Sequence, residues 1–396
     1  MHNLSGDLPL LPNPVHSMAL DADDRDLREL GRAIGDARFV VLCGQSHGEG
    51  NVFALQARIS RYLHEHKGFN VLALGSGMYD LWHCWQDALA GKPAGHAVLG
   101  NLFFMYARAT QLRPFFDYIE KQLRNGTPLE LAGIDGPQGG AYSLKQLLAE
   151  LAAFIEQAGQ TDVLQSSRWP GFIRAAQRII AREQPIIDNV DDIRDFQHVL
   201  ATLTTWLDSH PDDVEAQLLS RSLVGLQAQL VELQVQDPRD WQIFENLQWL
   251  ADTLRPDQKF VVWIHSMRGV PTGEDRLGDR LKRVYGNKSV FIAQFTGCQG
   301  RFHDYNHLGV MHTIPSAPPE SWEHMWEKAD LGDGYLIAPP EQDDERTPAL
   351  AYRYLRYGTD EAAPLKRFPT PESETTAGLD ALFVLRTIEP VEVMPY

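Results

Sequence analysis

Residues 38–77, RFVVLCGQSHGEGNVFALQARISRYLHEHKGFNVLALGSG, hold the pattern that decides the fold. RFVVLCGQ (38–45) and NVLALGSG (70–77) are short apolar runs that hardly alternate, as expected of strands in a parallel sheet covered on both faces. Between them Val52, Leu55, Ile59, Tyr62 and Leu63 recur at helical spacing. The stretch therefore reads as a β-α-β unit, with the loop LCGQSHGEGN (42–51) at the carboxyl end of its first strand. His47 stands there alone among glycines and a serine. It either performs chemistry or is held in a packed turn.

Working outward, LELAGIDG (129–136), KFVVWIHS (259–266) and SVFIAQFTG (289–297) repeat the strand pattern, and LDALFVLRT (379–387) reads as a late strand. The stretch from Ser143 to about Leu254 is rich in Leu, Ala and Gln and has helical periodicity in SLKQLLAELAAFIEQ and DVEAQLLSRSLVGLQAQLVELQ. The expected fold is α/β, with a parallel-rich central sheet flanked by helices and a large all-helical insertion. Residues 1–142 and 255–396 would form the core, and 143–254 the insertion, placed to act as a lid. The Pro-rich stretches IPSAPPESW (314–322) and IAPPEQDDERTP (337–348) read as loops. No internal repeat or low-complexity tract stands out.

At 396 residues, 43% hydrophobic and 22% charged, the chain can bury a sizeable core. Its formal charge of −17 argues against a surface that tracks nucleic-acid phosphates. No apolar run approaches the roughly 20 residues that span a bilayer, and the N-terminus lacks a basic segment followed by an apolar one. The expectation is a cytoplasmic protein with a small-molecule partner, no nucleic acid and no membrane. Cys43, Cys84 and Cys298 are too few and too scattered for a disulfide framework or a C-x-x-C metal knuckle.

In open α/β sheets ligands bind beyond the carboxyl ends of the strands. Four runs deliver polar residues or glycine at that edge: Gly44 to Glu49, Gly75 to Gly77, Asp135, and His265 to Arg268. An imidazole serves as a general base near neutral pH, and the glycines around His47 allow backbone to approach a ligand. His265 ends an independent strand, so parallel strands would bring the two histidines to one edge. The plainer reading of His265 is a helix cap or a bond to backbone. Cys43 precedes the loop, which admits a Cys/His nucleophilic pair or a buried packing residue. His303, His307 and His312 lack the spacing of zinc signatures and read as a histidine-bearing loop. No phosphate loop, dinucleotide fingerprint or G-x-S-x-G elbow is present. No cofactor and no metal are expected.

On these residues the chain resembles the erythromycin esterase-like family. CGQSHGEGNVFALQARISRYL resembles the family's strand followed by a G-E-x-[ST]-H-G loop, with Ser46-His47-Gly48 on [ST]-H-G and Arg58 on a helix arginine. GFNVLAL resembles the second strand, LAGID a glycine-aspartate strand end, and RDWQIFENLQWL an R-D-x-x-M-x-x-N helix. VVWIHSMRG resembles the W-x-H-N-x-H block, and LDALFVLRT the last strand. The resemblance implies metal-independent chemistry, in which the loop histidine activates water to open a macrolide lactone with acidic and histidine partners around it.

This chain departs from that pattern in one direction. Gly44, Gly75 and Asn51 stand where the family has glutamates, Gln111 in ATQLRPFF stands at a further glutamate, and Arg268 replaces the second histidine. Carboxylates beside an imidazole orient it and raise its basicity, so their loss alters the reaction. Added to Arg268, the change favours an anionic substrate or an oxyanion. Glu49 lies outside the family pattern and either restores one carboxylate or faces solvent.

The expected catalytic residues are His47 and His265; the expected substrate contacts are Glu49, Asn51, Arg58, Gly75, Ser76, Asp135 and Arg268. The function that follows is a divergent enzyme using His47 as general base or acid on an ester, lactone or other carbonyl compound, by hydrolysis, cyclisation or elimination, as in tailoring steps of natural-product biosynthesis. The alternative is a catalytically degenerate module of the same fold that binds a small molecule.

Overall fold

The computed structural model describes residues 8, 10–183, 189–232, 239–307, 309–338, 350–353, 365–368 and 378–394. From residue 339 onward the Pro-rich stretch IAPPEQDDERTP lies outside them, as do the last two residues of DVEAQLLSRSLVGLQAQLVELQ. The described strands are β1 (Asn13–Pro14), β2 (Phe39–Gly44), β3 (Phe69–Gly77), β4 (Glu130–Asp135), β5 (Lys259–His265), β6 (Val290–His303), β7 (Met311–Thr313), β8 (Gly334–Ile337), β9 (Leu350–Arg353), β10 (Leu365–Phe368) and β11 (Ala381–Ile388).

The chain divides into two compact units. The first comprises Met1–Ala73, Arg108–Glu130 and Asp257–Tyr396, and the second Leu74–Ala107 and Leu131–Pro256. The helical stretch 143–254 lies within the second unit, which also takes in Leu74–Ala107 and residues 131–142.

In the first unit the strands run in the order β1-β8-β11-β6-β2-β5, followed by the opening half of β3. β2 is parallel to both β5 and β6, and β6 is parallel to β11. The short outer strands β8 and β1 are antiparallel, and β7 folds back on the far end of β6. Every residue of β2 is buried, which explains why its sequence is apolar without alternation. The register sets Gly44 opposite His265, so β2 and β5 release the chain at the same level.

The helix Gly50–Lys67 returns the chain from β2 to β3 and buries Val52, Leu55, Ile59 and Leu63 completely. Gly68 ends it in a left-handed conformation at φ 72°, and its N–H closes on the Leu63 carbonyl. His64, His66 and Lys67 fill the last turn, where positive charge suits the helix dipole. Cys43 is buried under the short helix Ser266–Gly269: a Cβ on Gly269 would lie 2.5 Å from the Cys43 sulfur. The thiol is a packing residue there.

In the second unit the helices Leu147–Gln157, Trp169–Ala181, Val190–Asp208 and Val214–Glu232 enclose a core that includes Leu151, Phe172, Phe196, Leu203, Leu219 and Leu223. Phe172 and Phe196 stack with ring centroids 5.6 Å apart. The ends of β3 and β4 also belong here, and Gly133 is needed between them because a Cβ would lie 2.4 Å from the Gly77 carbonyl. No helix among the described residues is long and apolar enough to cross a membrane.

Arg58 is fully buried on the helix Gly50–Lys67, and its guanidinium reaches Asp26 at 2.5 Å and the Ser17 carbonyl at 2.7 Å. Burial pushes the Asp26 carboxyl up, but the Arg58 hydrogen bond and the His16 N–H outweigh it and hold the group below its ordinary value. A carboxyl held low stabilises the fold fully above its unfolded value near pH 4 and loses that contribution as the pH falls through its folded value. Arg58→Met is expected to cost about 3–5 kcal/mol by stranding the Asp26 charge. Urea unfolding at pH 7 and at pH 3 checks both points: the difference between variant and wild type should shrink at the acid end.

Candidate functional site

The candidate site is the loop that follows β2, together with the end of β5 and the segment that follows β6, all in the first unit. His47 adopts φ +56°, a left-handed conformation uncommon for a residue with a side chain. Its neighbours impose it. The Gly48 carbonyl accepts from the His303 N–H at 3.2 Å and from the Val391 N–H at 2.9 Å. A Cβ on Gly48 would lie 2.0 Å from the His303 carbonyl oxygen, so only glycine fits. Ser46 folds its hydroxyl back to accept from the Gly48 N–H at 3.2 Å.

Held in this way, the half-buried His47 ring lies 4.8 Å from the ring of His265, centroid to centroid, inclined at 58°. The sequence expectation that these two histidines meet at one strand edge is met in the geometry. His265 also plays the plainer role weighed for it. Its Nδ1 accepts from the Met267 N–H at 3.1 Å and caps the helix Ser266–Gly269. An imidazole that accepts at Nδ1 carries its neutral-state proton on Nε2, so the cap selects the tautomer. Arg268 follows on the same turn and is 7% exposed.

Glu49 is buried, 2% exposed, and does not face solvent. Its Oε2 accepts from the Ser46 N–H at 3.0 Å, across the base of the loop. Burial pushes its carboxyl up to about 7, against the opposing bonds from Ser46 and Gln45. A proton therefore exchanges two residues from His47 near neutral pH.

The other expected contacts fall into two groups. Asn51 and Arg58 belong to the first unit and are committed elsewhere. The Asn51 amide donates to the Thr387 carbonyl at 2.7 Å, and its oxygen accepts from the Glu389 N–H at 3.0 Å. Arg58 sits roughly 12 Å along the helix axis from its first residue, Gly50, and anchors the N-terminal segment. The residue expected as a substrate contact is thus fully buried and bonded to Asp26 and Ser17. Gln111 resembles Asn51 in use: its amide donates to the Pro390 carbonyl at 3.4 Å, and its oxygen accepts from the Glu392 N–H at 3.2 Å.

Gly75, Ser76 and Asp135 belong to the second unit. There the Ser76 hydroxyl accepts from the Phe103 N–H at 3.0 Å. Asp135 takes a two-pronged bond from Arg239, with Nε at 2.8 Å and the terminal nitrogen at 2.5 Å, and Asn246 donates to the adjoining Ile134 carbonyl at 3.1 Å. The strand LAGID and the helix RDWQIFENLQWL are therefore locked together by the residues that carry their resemblance.

Sequence reasoning passed over Tyr305, whose ring stands edge-on to His47 at 5.9 Å. It lies in the histidine-bearing segment RFHDYNH, where the Asp304 carboxylate gathers His312 at 3.1 Å and His307 at 3.4 Å. Nothing in the spacing signals that this turn meets the loop after β2. The signal is the glycine: Gly48 admits the backbone of His303, and Tyr305 follows two residues later.

Comparison with known proteins places the chain in a family. The Erythromycin esterase family model matches residues 64–361, about three quarters of the chain, and begins after the histidine loop. A protein of Bacillus subtilis (strain 168) named as a candidate hydrolase, YbfO, is 25% identical over 361 residues, covering 80% of this chain and 78% of its own. Among solved structures, a Bacillus cereus protein superposes with a TM-score of 0.75 at 16% identity, covering 97% of each chain. A succinoglycan biosynthesis protein gives 0.72 at 14%, covering 99% of this chain and 98% of its own. A histidine mutant of the erythromycin esterase EreC in its open conformation gives 0.69 at 16%, covering 95% and 97%. At these identities the solved structures establish the fold.

Two substitutions test the loop. His47→Gly should be more stable than His47→Ala by about 1 kcal/mol, because only the alanine keeps the left-handed strain; equal stabilities in urea would show that the loop relaxes. Glu49→Gln keeps an acceptor for the Ser46 N–H and removes the titration. A carboxyl raised from 4.5 to about 7 costs nothing below 4.5, costs progressively more up to about 7 and its full penalty above. Relative to wild type, Glu49→Gln should therefore gain stability from pH 4.5 to pH 8. The match to the family model over most of the chain, on this α/β fold, establishes that the protein belongs to the erythromycin esterase family.

Proposed function

We propose that the protein is a divergent hydrolase-type enzyme in which His47 acts as general base and then general acid on an ester, lactone or other carbonyl compound. The observation that carries this reading is the pairing of the His47 and His265 rings at 4.8 Å, with the Nδ1 of His265 occupied by the Met267 N–H. A proton on Nε2 of His265 leaves that ring a donor, and His47 the ring that takes up a proton. In hydrolysis His47 removes a proton from water as the oxygen adds to the carbonyl carbon. The carbonyl oxygen becomes an oxyanion, which the positive charge of Arg268 and the N–H of His265 favour. Collapse of the tetrahedral species breaks the C–O bond, and the departing alkoxide recovers the proton from His47. With an internal hydroxyl as nucleophile, the same groups would run a cyclisation; with an acidic C–H, an elimination.

Arg268 also bears on substrate class. An arginine at this place in the sequence, where the resemblance sets a histidine, suits a substrate carrying a carboxylate or another oxyanion better than a neutral macrolide. The alternative of a binding module without turnover draws support from Gly44. A Cβ there would make only one ordinary contact, 3.8 Å from the Gln56 amide, so the edge has room that a family glutamate would fill.

The test is mass-spectrometric turnover by wild type and His47→Ala of erythromycin and a panel of esters, lactones and carboxylated precursors. A product whose rate falls by about 10²–10⁴ in the variant is the expected result. Product formed equally by both would exclude His47 as the base. Saturable binding without any product would transfer the assignment to the binding module.

A further inference from the structure

Beyond β11 the chain is held by two other segments of the first unit, the His47 loop and residues 108–111. The loop supplies one antiparallel bridge, about Glu49 and Pro390: the Gly50 N–H donates to the Glu389 carbonyl at 2.7 Å, and the Val391 N–H to the Gly48 carbonyl at 2.9 Å. Residues 108–111 supply a second, about Ala109 and Val393: the Thr110 N–H donates to the Glu392 carbonyl at 2.8 Å, and the Met394 N–H to the Arg108 carbonyl at 2.9 Å. Two side-chain amides bracket Val391 between these bridges. Asn51 donates to the Thr387 carbonyl at 2.7 Å and accepts from the Glu389 N–H at 3.0 Å. Gln111 donates to the Pro390 carbonyl at 3.4 Å and accepts from the Glu392 N–H at 3.2 Å. A Cβ on Gly50 would lie 2.5 Å from the Gln111 amide nitrogen and 2.6 Å from the Pro390 oxygen, so glycine is what lets amide and segment close on the loop.

The Val391 N–H is what this arrangement delivers to the candidate site. Both peptide groups of Gly48 are fixed: its N–H donates to the Ser46 hydroxyl, and its carbonyl accepts from His303 and Val391. His47 precedes them at φ +56°, from which a residue with a side chain falls back toward the right-handed region once the restraint weakens. Such a relaxation turns the His47 ring away from His265. We propose that Asn51 and Gln111 are positioning residues for His47: they hold residues 389–392 so that the Val391 N–H stays on the Gly48 carbonyl. This role builds on the reading of His47 as the group that takes up a proton.

Asn51→Asp and Gln111→Glu, which keep the acceptor and lose the donor, test this in the full chain. Gln111 is half-buried, so its variant keeps the test open should Asn51→Asp, at a 9% exposed position, fail to fold. Two readouts need no substrate. Hydrogen exchange of the Val391 amide, followed by NMR, should quicken about tenfold in each variant. The proton–carbon NMR signals of the His47 ring, assigned by their absence from His47→Ala, should shift. Those of His64, roughly 21 Å along the same helix from Gly50, and of His210 in the second unit should keep their wild-type positions. On a substrate of the wild type, kcat should fall about tenfold or more at unchanged KM. A quicker Val391 amide with an unmoved His47 ring would overturn the proposal and leave the amides a purely structural tie. So would an unchanged Val391 amide, or a raised KM at wild-type kcat, which would return Asn51 and Gln111 to substrate contact. Wild type that turns over no substrate would count against His47 as the base, while the exchange rate and the ring signals would still decide the positioning role.

Discussion

Two backbone hydrogen bonds to one carbonyl organise the candidate site. The Gly48 oxygen receives the His303 N–H from the end of β6 and the Val391 N–H from the segment beyond β11, so strands far apart in sequence close on the same loop. With no Cβ at residue 48 the His303 backbone approaches to a distance that any side chain would forbid. His47 is then left in the left-handed region at φ +56°. Strain of this kind persists where surrounding structure over-determines it, and it is commonest where a side chain must be aimed. Here it sets one imidazole against another across the ends of β2 and β5.

The replacements of family glutamates acquire a physical meaning from the same crossing. Asn51 and Gln111 are not vacancies in a charged site. Each amide uses both its donor and its acceptor on the backbone of the segment Thr387 to Glu392. A carboxylate at either place would keep the acceptor and lose the donor, leaving a carbonyl facing a negative charge. The neutral amides therefore tie the last strand's continuation to the loop. The carboxyl that this chain does carry, Glu49, serves the loop from beneath through the Ser46 N–H. Burial pushes the carboxyl of this brace up to about 7.

Much of this was legible in the residues. Unalternating apolar runs located β2 to β6 and β11, because a strand covered on both faces has no polar side to display. The meeting of His47 with His265 followed from two such runs ending in histidine within a parallel sheet. Arg58 shows the limit of such reading. Its place in a motif gives its position along a helix, but the groups that neutralise it are the Asp26 carboxylate and the Ser17 carbonyl, which no periodicity predicts. Asp135 was picked out as a strand-end acid, yet Arg239 claims both its oxygens. Polar partners are chosen by three-dimensional proximity, and proximity between segments a hundred residues apart leaves no local trace. Tyr305 escaped notice for the same reason.

His265 shows how a structural role and a chemical one reinforce each other. A histidine that caps a helix is ordinarily counted against catalysis, since its nitrogen is spent. At this strand end the cap consumes Nδ1 alone, and the helix it caps is the turn that carries Arg268. The Nδ1 lone pair is what accepts the Met267 N–H, so the cap depends on that nitrogen carrying no proton. The cap thus gives one of two chemically identical side chains 4.8 Å apart a fixed backbone partner, while the other rides on the left-handed turn that follows β2.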